Sequence, residues 1–293
     1  MTLRPLPPPG QTRVMAVINV TPDSFSDGGL SLDASSAVEA AVAAVEAGAA
    51  LIDLGAVSTR PGAEPVSPAE EWRRLEAVLA PLRAAVQVPI SLDTTCGEVL
   101  ARACEIGVDV LNDTSALADD PALAKVAGEV GLPVVLMHRQ GTPAHMQDDP
   151  RYDDVVSEVR HELEAAVERG VRAGIDRSQL LLDPGIGFGK RLEDNLDLLA
   201  ALPDLCTLGH RLVLGCSRKA FLGTISGAGV HDREHGTTVT TVLAAQAGVD
   251  FVRVHDARAA CQALAVLAAV NDRNRQDQEG SASAADAPVQ GGC

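Results

Sequence analysis

Short apolar runs alternate along the chain with longer stretches in which Ala, Val and Leu recur at helical spacing among charged residues. The runs occupy residues 14–20, 51–55, 89–92, 108–111, 133–137, 180–182, 212–215 and 251–254. Continuous apolar runs bounded by polar residues are the pattern of strands buried on both faces, as in parallel sheets. The intervening stretches predict helices at 33–47, from 68, and at 98–105, 121–130, 154–173, 195–202, 233–247 and 257–269. Gly48 is placed to end the first helix, and Ser67-Pro68 with Glu70 and Glu71 to start the second. Eight strand–helix units predict a single (β/α)8 TIM barrel of class α/β, whose active site is built where the strands end. Those ends are polar: Asn19, Ser58-Thr59-Arg60, Asp93, Asn112, His138, Asp183, Ser217-Arg218-Lys219 and His255. All are expected to share one pocket.

The pattern also sets the boundaries. Residues 1–12 read as an N-terminal extension, 13–270 as the barrel and 271–293 as a disordered tail poor in large apolar residues. Long loops follow strands one, two and five, at 21–36, 57–68 and 139–153, and loops of that length in a compact domain are often lids. Composition then narrows the function. The chain has 293 residues, 46% apolar but only 2% aromatic, so Phe25, Phe188 and Phe221 stand out beside motifs. A net charge of −16 argues against a general nucleic-acid or anionic-membrane surface. The Pro-rich start and the absence of a membrane-length apolar run point to a cytoplasmic protein. Six widely spaced cysteines without a CxxC pair read as reduced thiols, not a zinc or disulfide framework.

Four constellations carry candidate chemistry. The segment 183–190 has glycines that match neither a P-loop nor a dinucleotide fingerprint, and their spacing suits a tight structural turn better than a binding loop. Arg218 and Lys219, adjacent cations after strand seven, sit where such barrels bind phosphate. Arg253 and His255 share one face of strand eight, so both point inward or neither does. A buried Arg253 needs an anion, and that anion is either a phosphate or a barrel carboxylate. Asn19, Asp93, Asn112 and Asp183, spread over four strands, suit a flat heterocycle rich in N–H and C=O groups. A single Asn19 oxygen suits the shell of a phosphate-bound Mg2+, which keeps most of its waters.

Five stretches taken in order resemble the dihydropteroate synthase family. They are Asn19-Val-Thr-Pro-Asp-Ser-Phe-Ser-Asp-Gly-Gly29, Ser58-Thr-Arg-Pro-Gly-Ala63, Met137-His-Arg-Gln-Gly-Thr-Pro-Ala-His-Met-Gln147, Asp183-Pro-Gly-Ile-Gly-Phe-Gly-Lys190 and Ser217-Arg-Lys219. The chain departs from the family at Ala56 and Val57, where Gly-Glu is common, and at Thr114 in the segment after Asn112.

The resemblance implies condensation of 6-hydroxymethyl-7,8-dihydropterin diphosphate with p-aminobenzoate, giving 7,8-dihydropteroate and pyrophosphate for folate synthesis. It assigns the pterin to Asp93, Asn112, Met137, Asp183 and Lys219. The diphosphate falls to Asn19, Thr59, Arg253 and His255, with Mg2+ on Asn19. The p-aminobenzoate pocket falls to Phe25, Arg60, Pro61, Phe188 and Ser217. In an SN1-like reaction Arg253, His255 and Lys219 would serve the departing pyrophosphate and the pterin, while Asp23 or Asp27 offsets the pterin cation. Sulfonamides would compete for the p-aminobenzoate pocket, a sulfonamide-insensitive form being an open variant, and a homodimer is the family's common assembly. Two alternatives share the barrel: a pterin-binding methyltransferase, which lacks the two p-aminobenzoate loops, and a non-catalytic pterin-binding paralogue, which would lose the pyrophosphate residues present here.

Overall fold

The computed structural model describes residues 3–20, 30–58, 63 and 65–285, with backbone alone for 30–33 and 275–285. Its strands are β1 (Arg13–Asn19), β2 (Leu51–Gly55), β3 (Ile90–Asp93), β4 (Val110–Asp113), β5 (Val134–Met137), β6 (Leu180–Asp183), β7 (Arg211–Leu214) and β8 (Phe251–Val254). Between them lie α1 (Leu30–Glu46), α2 (Pro68–Ala85), α3 (Gly97–Ile106), α4 (Pro121–Val130), α5 (Val155–Arg172), α6 (Leu192–Ala200), α7 (Leu202–Leu205), α8 (Ala220–Ser226) and α9 (Glu234–Ala247), with α10 (Ala257–Ala285) last. Every strand pairs in parallel with its sequence neighbours and β8 pairs with β1, so the sheet closes into the expected eight-stranded barrel.

Period two along each strand divides the core. Outward residues such as Ala16, Ile52, Leu92, Leu111, Val134, Leu182 and Val252 pack under the helices in one large apolar cluster. Inward residues Met15, Leu51, Val110, Val135, Leu181, Val213 and Phe251 form a second cluster that fills the lower barrel. The N-terminal segment lies beneath this second cluster. Leu6 packs against it, the Arg4 amide donates to Asp109 at 2.8 Å, and Arg211 donates to the Pro7 carbonyl at 2.9 Å. Above the apolar floor the inward positions turn polar, and the site begins there.

Helix starts follow their local chemistry. Ser67 accepts from the Glu70 amide at the head of α2, and Asp120 and Asp154 cap α4 and α5 in the same way. Several boundaries differ from the sequence reading, among them the start of α6 at Leu192 instead of 195. α1 already begins at Leu30, and α10 continues through 271–285, across most of the segment expected to be disordered. That stretch holds Arg, Gln and Glu and no proline; its polarity excludes burial but not a helix.

Candidate active site

Register sets the first row of the site. Asn19 pairs with Gly55, Gly55 with Asp93 and Asp93 with Asn112, so four consecutive strands end side by side. Across the barrel Met137 is the register partner of Asp183. The two glycines at inward positions hold space open. A methyl group on Gly55 would lie 3.5 Å from Asp93 Cβ and 3.7 Å from Asn19 Oδ1. On Gly215 it would meet Lys219 Nζ at 3.8 Å, Asp183 Oδ2 at 3.9 Å and Arg253 Cβ at 3.9 Å. Asp183, Lys219 and Arg253 thus converge on one point above β7.

The electrostatics are those of charges held in a dry cup. Burial pushes the Asp183 carboxyl above the ordinary carboxylate range, although Lys219 pulls it back. Burial likewise brings Lys219 down to about 8 against the attraction of Asp183. Lys219 Nζ donates to the Ile186 carbonyl and lies 4.5 Å from the centroid of the Phe188 ring, a cation–π contact. Of the two adjacent cations only Lys219 turns inward. Arg218, at φ 58°, is exposed and pairs with Glu234 at 3.3 Å, so the expectation of a double cation at the mouth is corrected.

Arg253 finds carboxylates for partners. Its Nε donates to Asp53 Oδ2 at 2.6 Å and its Nη2 to Asp93 Oδ2 at 2.7 Å. Burial opposes the guanidinium charge, but Asp53 and Asp93 outweigh it and hold its pKa above the ordinary value. Asp93 is in turn raised, by burial first and by repulsion from Asp53, although Arg253 pulls it down. Asp53 is fully buried and also accepts from Asn112 Nδ2 at 3.2 Å. The sequence reading passed over it; the usable signal was a lone carboxylate in the apolar run of β2, in phase with Leu51 and Gly55.

His255 and Ser217 are mutual partners: Ser217 Oγ lies 2.8 Å from His255 Nδ1 and accepts from the His255 amide at 3.2 Å. His138, expected in the pocket, is not there. It follows Met137 on the opposite side of the pleat and is buried between α5 and the β6–α6 loop, with Nε2 3.0 Å from Glu162 and Nδ1 2.8 Å from Lys190 Nζ. The glycine-rich segment is a turn, as its spacing suggests. Gly185, Gly187 and Gly189 all have positive φ, and a Cβ on Gly185 would collide with the His138 carbonyl. Asp23, Phe25, Asp27, Thr59, Arg60 and Pro61 lie outside the described residues.

Among the described residues no group of three His, Cys, Asp or Glu is arranged around a metal ion. Asn19 offers one half-buried amide oxygen at the barrel rim. That donor set does not fit a metal caged by protein. It fits a hard cation held chiefly by phosphate oxygens and water.

Comparison with known proteins agrees with this geometry. Residues 15–255 match the profile of the pterin binding enzyme family. The chain is 42% identical over 256 residues to the dihydropteroate synthase of Escherichia coli strain K12, covering 87% of this chain and 90% of that one. The Yersinia pestis dihydropteroate synthase solved with a sulfonamide superposes with a TM-score of 0.85 at 39% identity, covering 89% of this chain and 95% of the other. The Xanthomonas albilineans enzyme matches in two solved structures. With 4-aminobenzoic acid the TM-score is 0.84 at 43% identity (89% and 93% covered), and with 7,8-dihydropteroate it is 0.80 at 40% (89% and 94%). A barrel rim of this composition, matched over nearly the whole folded chain, belongs to the dihydropteroate synthase family of pterin-binding enzymes.

Proposed function

We propose that this chain is a dihydropteroate synthase, joining 6-hydroxymethyl-7,8-dihydropterin diphosphate to p-aminobenzoate with release of pyrophosphate. The observation that carries the reading is the convergence of Asp183, Lys219 and Arg253 above Gly215, opposite the row Asn19–Asp93–Asn112. Asp93, Asn112 and Asp183 supply acceptors and an amide donor to the ring edge, Met137 packs on its face, and Lys219 donates from above. The diphosphate then lies toward Asn19, Arg253 and His255, and the p-aminobenzoate toward Phe188 and Ser217. Phe25, Thr59, Arg60 and Pro61 complete these pockets in our reading.

The chemistry follows from where charge develops. The C–O bond to the diphosphate breaks first, its electron pair leaves with pyrophosphate, and the cation spreads into the pterin ring. Arg253 and His255 neutralise the leaving group, an electrostatic service that exceeds what water provides in a site of this burial. Arg253 must first release Asp93, which then becomes free to accept from the pterin. Asp23 or Asp27 offsets the ring cation. The arylamine lone pair forms the new C–N bond and its extra proton passes to solvent, so no strong base is required. Mg2+ held at Asn19 by the diphosphate would add Lewis-acid neutralisation of the leaving group.

The same proposal includes a cytoplasmic homodimer. The described thiols, Cys96, Cys104, Cys206, Cys216 and Cys261, are free, which suits a reducing compartment. Val239 and Leu243 on α9 are exposed at i,i+4 spacing, as are Val266 and Val270 on the neighbouring α10. Two adjacent helices with apolar stripes suit a self-complementary interface.

Purified protein supplied with pterin diphosphate, p-aminobenzoate and Mg2+ is expected to yield 7,8-dihydropteroate and pyrophosphate in equal amounts, with a sulfonamide competing against p-aminobenzoate. Pterin binding by calorimetry without product would refute the synthase and leave a binding protein.

A further inference from the structure

The β6–α6 loop presents the Ile186 carbonyl and the Phe188 ring to Lys219, yet its fastening lies on the side away from the mouth. There Lys190, buried beneath Tyr152, directs its Nζ to His138 Nδ1 at 2.8 Å and to the Phe188 carbonyl at 3.2 Å. Glu162 of α5 stands beside His138, its carboxylate 3.0 Å from Nε2 without the alignment of a hydrogen bond. Burying a lysine without a carboxylate in direct contact is costly, and an amine used only for solubility would be found at the surface. The costly arrangement has one geometric result: the Phe188 main chain is tied to the outer face of β5. The rest of the loop is held independently, Gly187 by Asn195 at 2.6 Å and by Gln147 at 2.8 Å, and Gly189 by the Tyr152 hydroxyl at 2.8 Å.

We propose that Lys190, acting through His138, is a positioning residue for the second substrate, fixing Phe188 so that its ring stays over Lys219 and walls the p-aminobenzoate pocket. The inference rests on the synthase reading and on Phe188 facing that substrate. Lys190 does not touch either reactant. The charged and titratable groups around it are Asp183, Lys219, Glu162, Asp194, His138 and Tyr152. Burial and the Lys219 charge bring the Lys190 amine down to about 7, and burial keeps His138 below its ordinary value. A neutral imidazole leaves Nδ1 free to accept, and a lysine amine donates in either protonation state. The tie therefore survives around neutrality.

Steady-state kinetics on Lys190→Met, His138→Leu and His138→Asn test the proposal. Asparagine retains an acceptor near the Nδ1 position, whereas leucine does not. Lys190→Met and His138→Leu are each expected to raise KM for p-aminobenzoate about tenfold, the loss associated with one hydrogen bond to a charged donor. KM for the pterin diphosphate should stay within about twofold, and the double variant should lose no more than either single one. His138→Asn should behave as the parent. An unchanged p-aminobenzoate KM in Lys190→Met, an equal rise for both substrates, or equal losses in the two His138 variants would overturn the positioning role. Should Lys190→Met not fold, the contrast between the two His138 variants decides alone. Failure of the parent protein to make dihydropteroate would strike the synthase reading itself, and that outcome is read before any variant is made.

Discussion

Arg253 is the residue on which the site turns. Its guanidinium joins Asp53 and Asp93, so the carboxylate alternative for its partner is the one observed. In the proposed reaction an incoming diphosphate would compete for Arg253, and moving the guanidinium to it would uncover Asp93 for the ring. Arg253→Ala is therefore expected to lower turnover at least a hundredfold, as loss of one donor to a developing anion does. Pterin affinity should change far less; equal turnover, measured by pyrophosphate release, would remove Arg253 from the leaving-group role. Lys219 gives a pH signature of opposite cause. Its amine titrates near 8, so the charged donor is present below that value and lost above it. kcat/KM for the pterin diphosphate should fall as pH rises through about 8. A profile flat to about pH 9.5, beyond the range where so lowered an amine keeps its proton, would exclude the charge of Lys219 from the reaction.

At the scale of elements, the β6–α6 turn shows what sequence can carry. Its glycine spacing announces a turn, and the positive φ values at Gly185, Gly187 and Gly189 are the reason those positions carry no side chain. Gly185→Ala would combine a left-handed backbone with a collision against the His138 carbonyl. It should destabilise the barrel by at least about 2 kcal/mol in urea denaturation; a loss under about 0.5 kcal/mol would mean the turn has room to relax. The alternation of strands and helices was legible because both periods are written in apolar residues. Direction at a strand end was written there too, in the parity of the strand: Val135 and Met137 are inward, so His138 falls on the outer face. His138 and Arg218 were expected at the mouth and face away from it, whereas their neighbours Met137 and Lys219 face in. Asp53 escaped notice because it lies inside a strand, where a carboxylate with two partners looks from sequence like any interruption of an apolar run.

For the molecule as a whole, the exposed apolar stripes of α9 and α10 are the surface on which the proposed dimer would form. Val239→Asp combined with Leu243→Asp places charges on a face that is solvent-exposed in the single chain and would be desolvated in that dimer. The parent is expected to sediment as a dimer and the double variant as a folded monomer; identical sedimentation would assign the contact to another face.

The floor of the barrel has a consequence for traffic. With Leu6 and the seven interior apolar side chains stopping the lower end, the described residues leave the cup closed at its floor. Two substrates sharing such a cul-de-sac in the proposed reaction would queue, the occupant of the deepest seat entering before its companion. Order of addition would then be a property of architecture, set by a plugged cylinder before any affinity is considered.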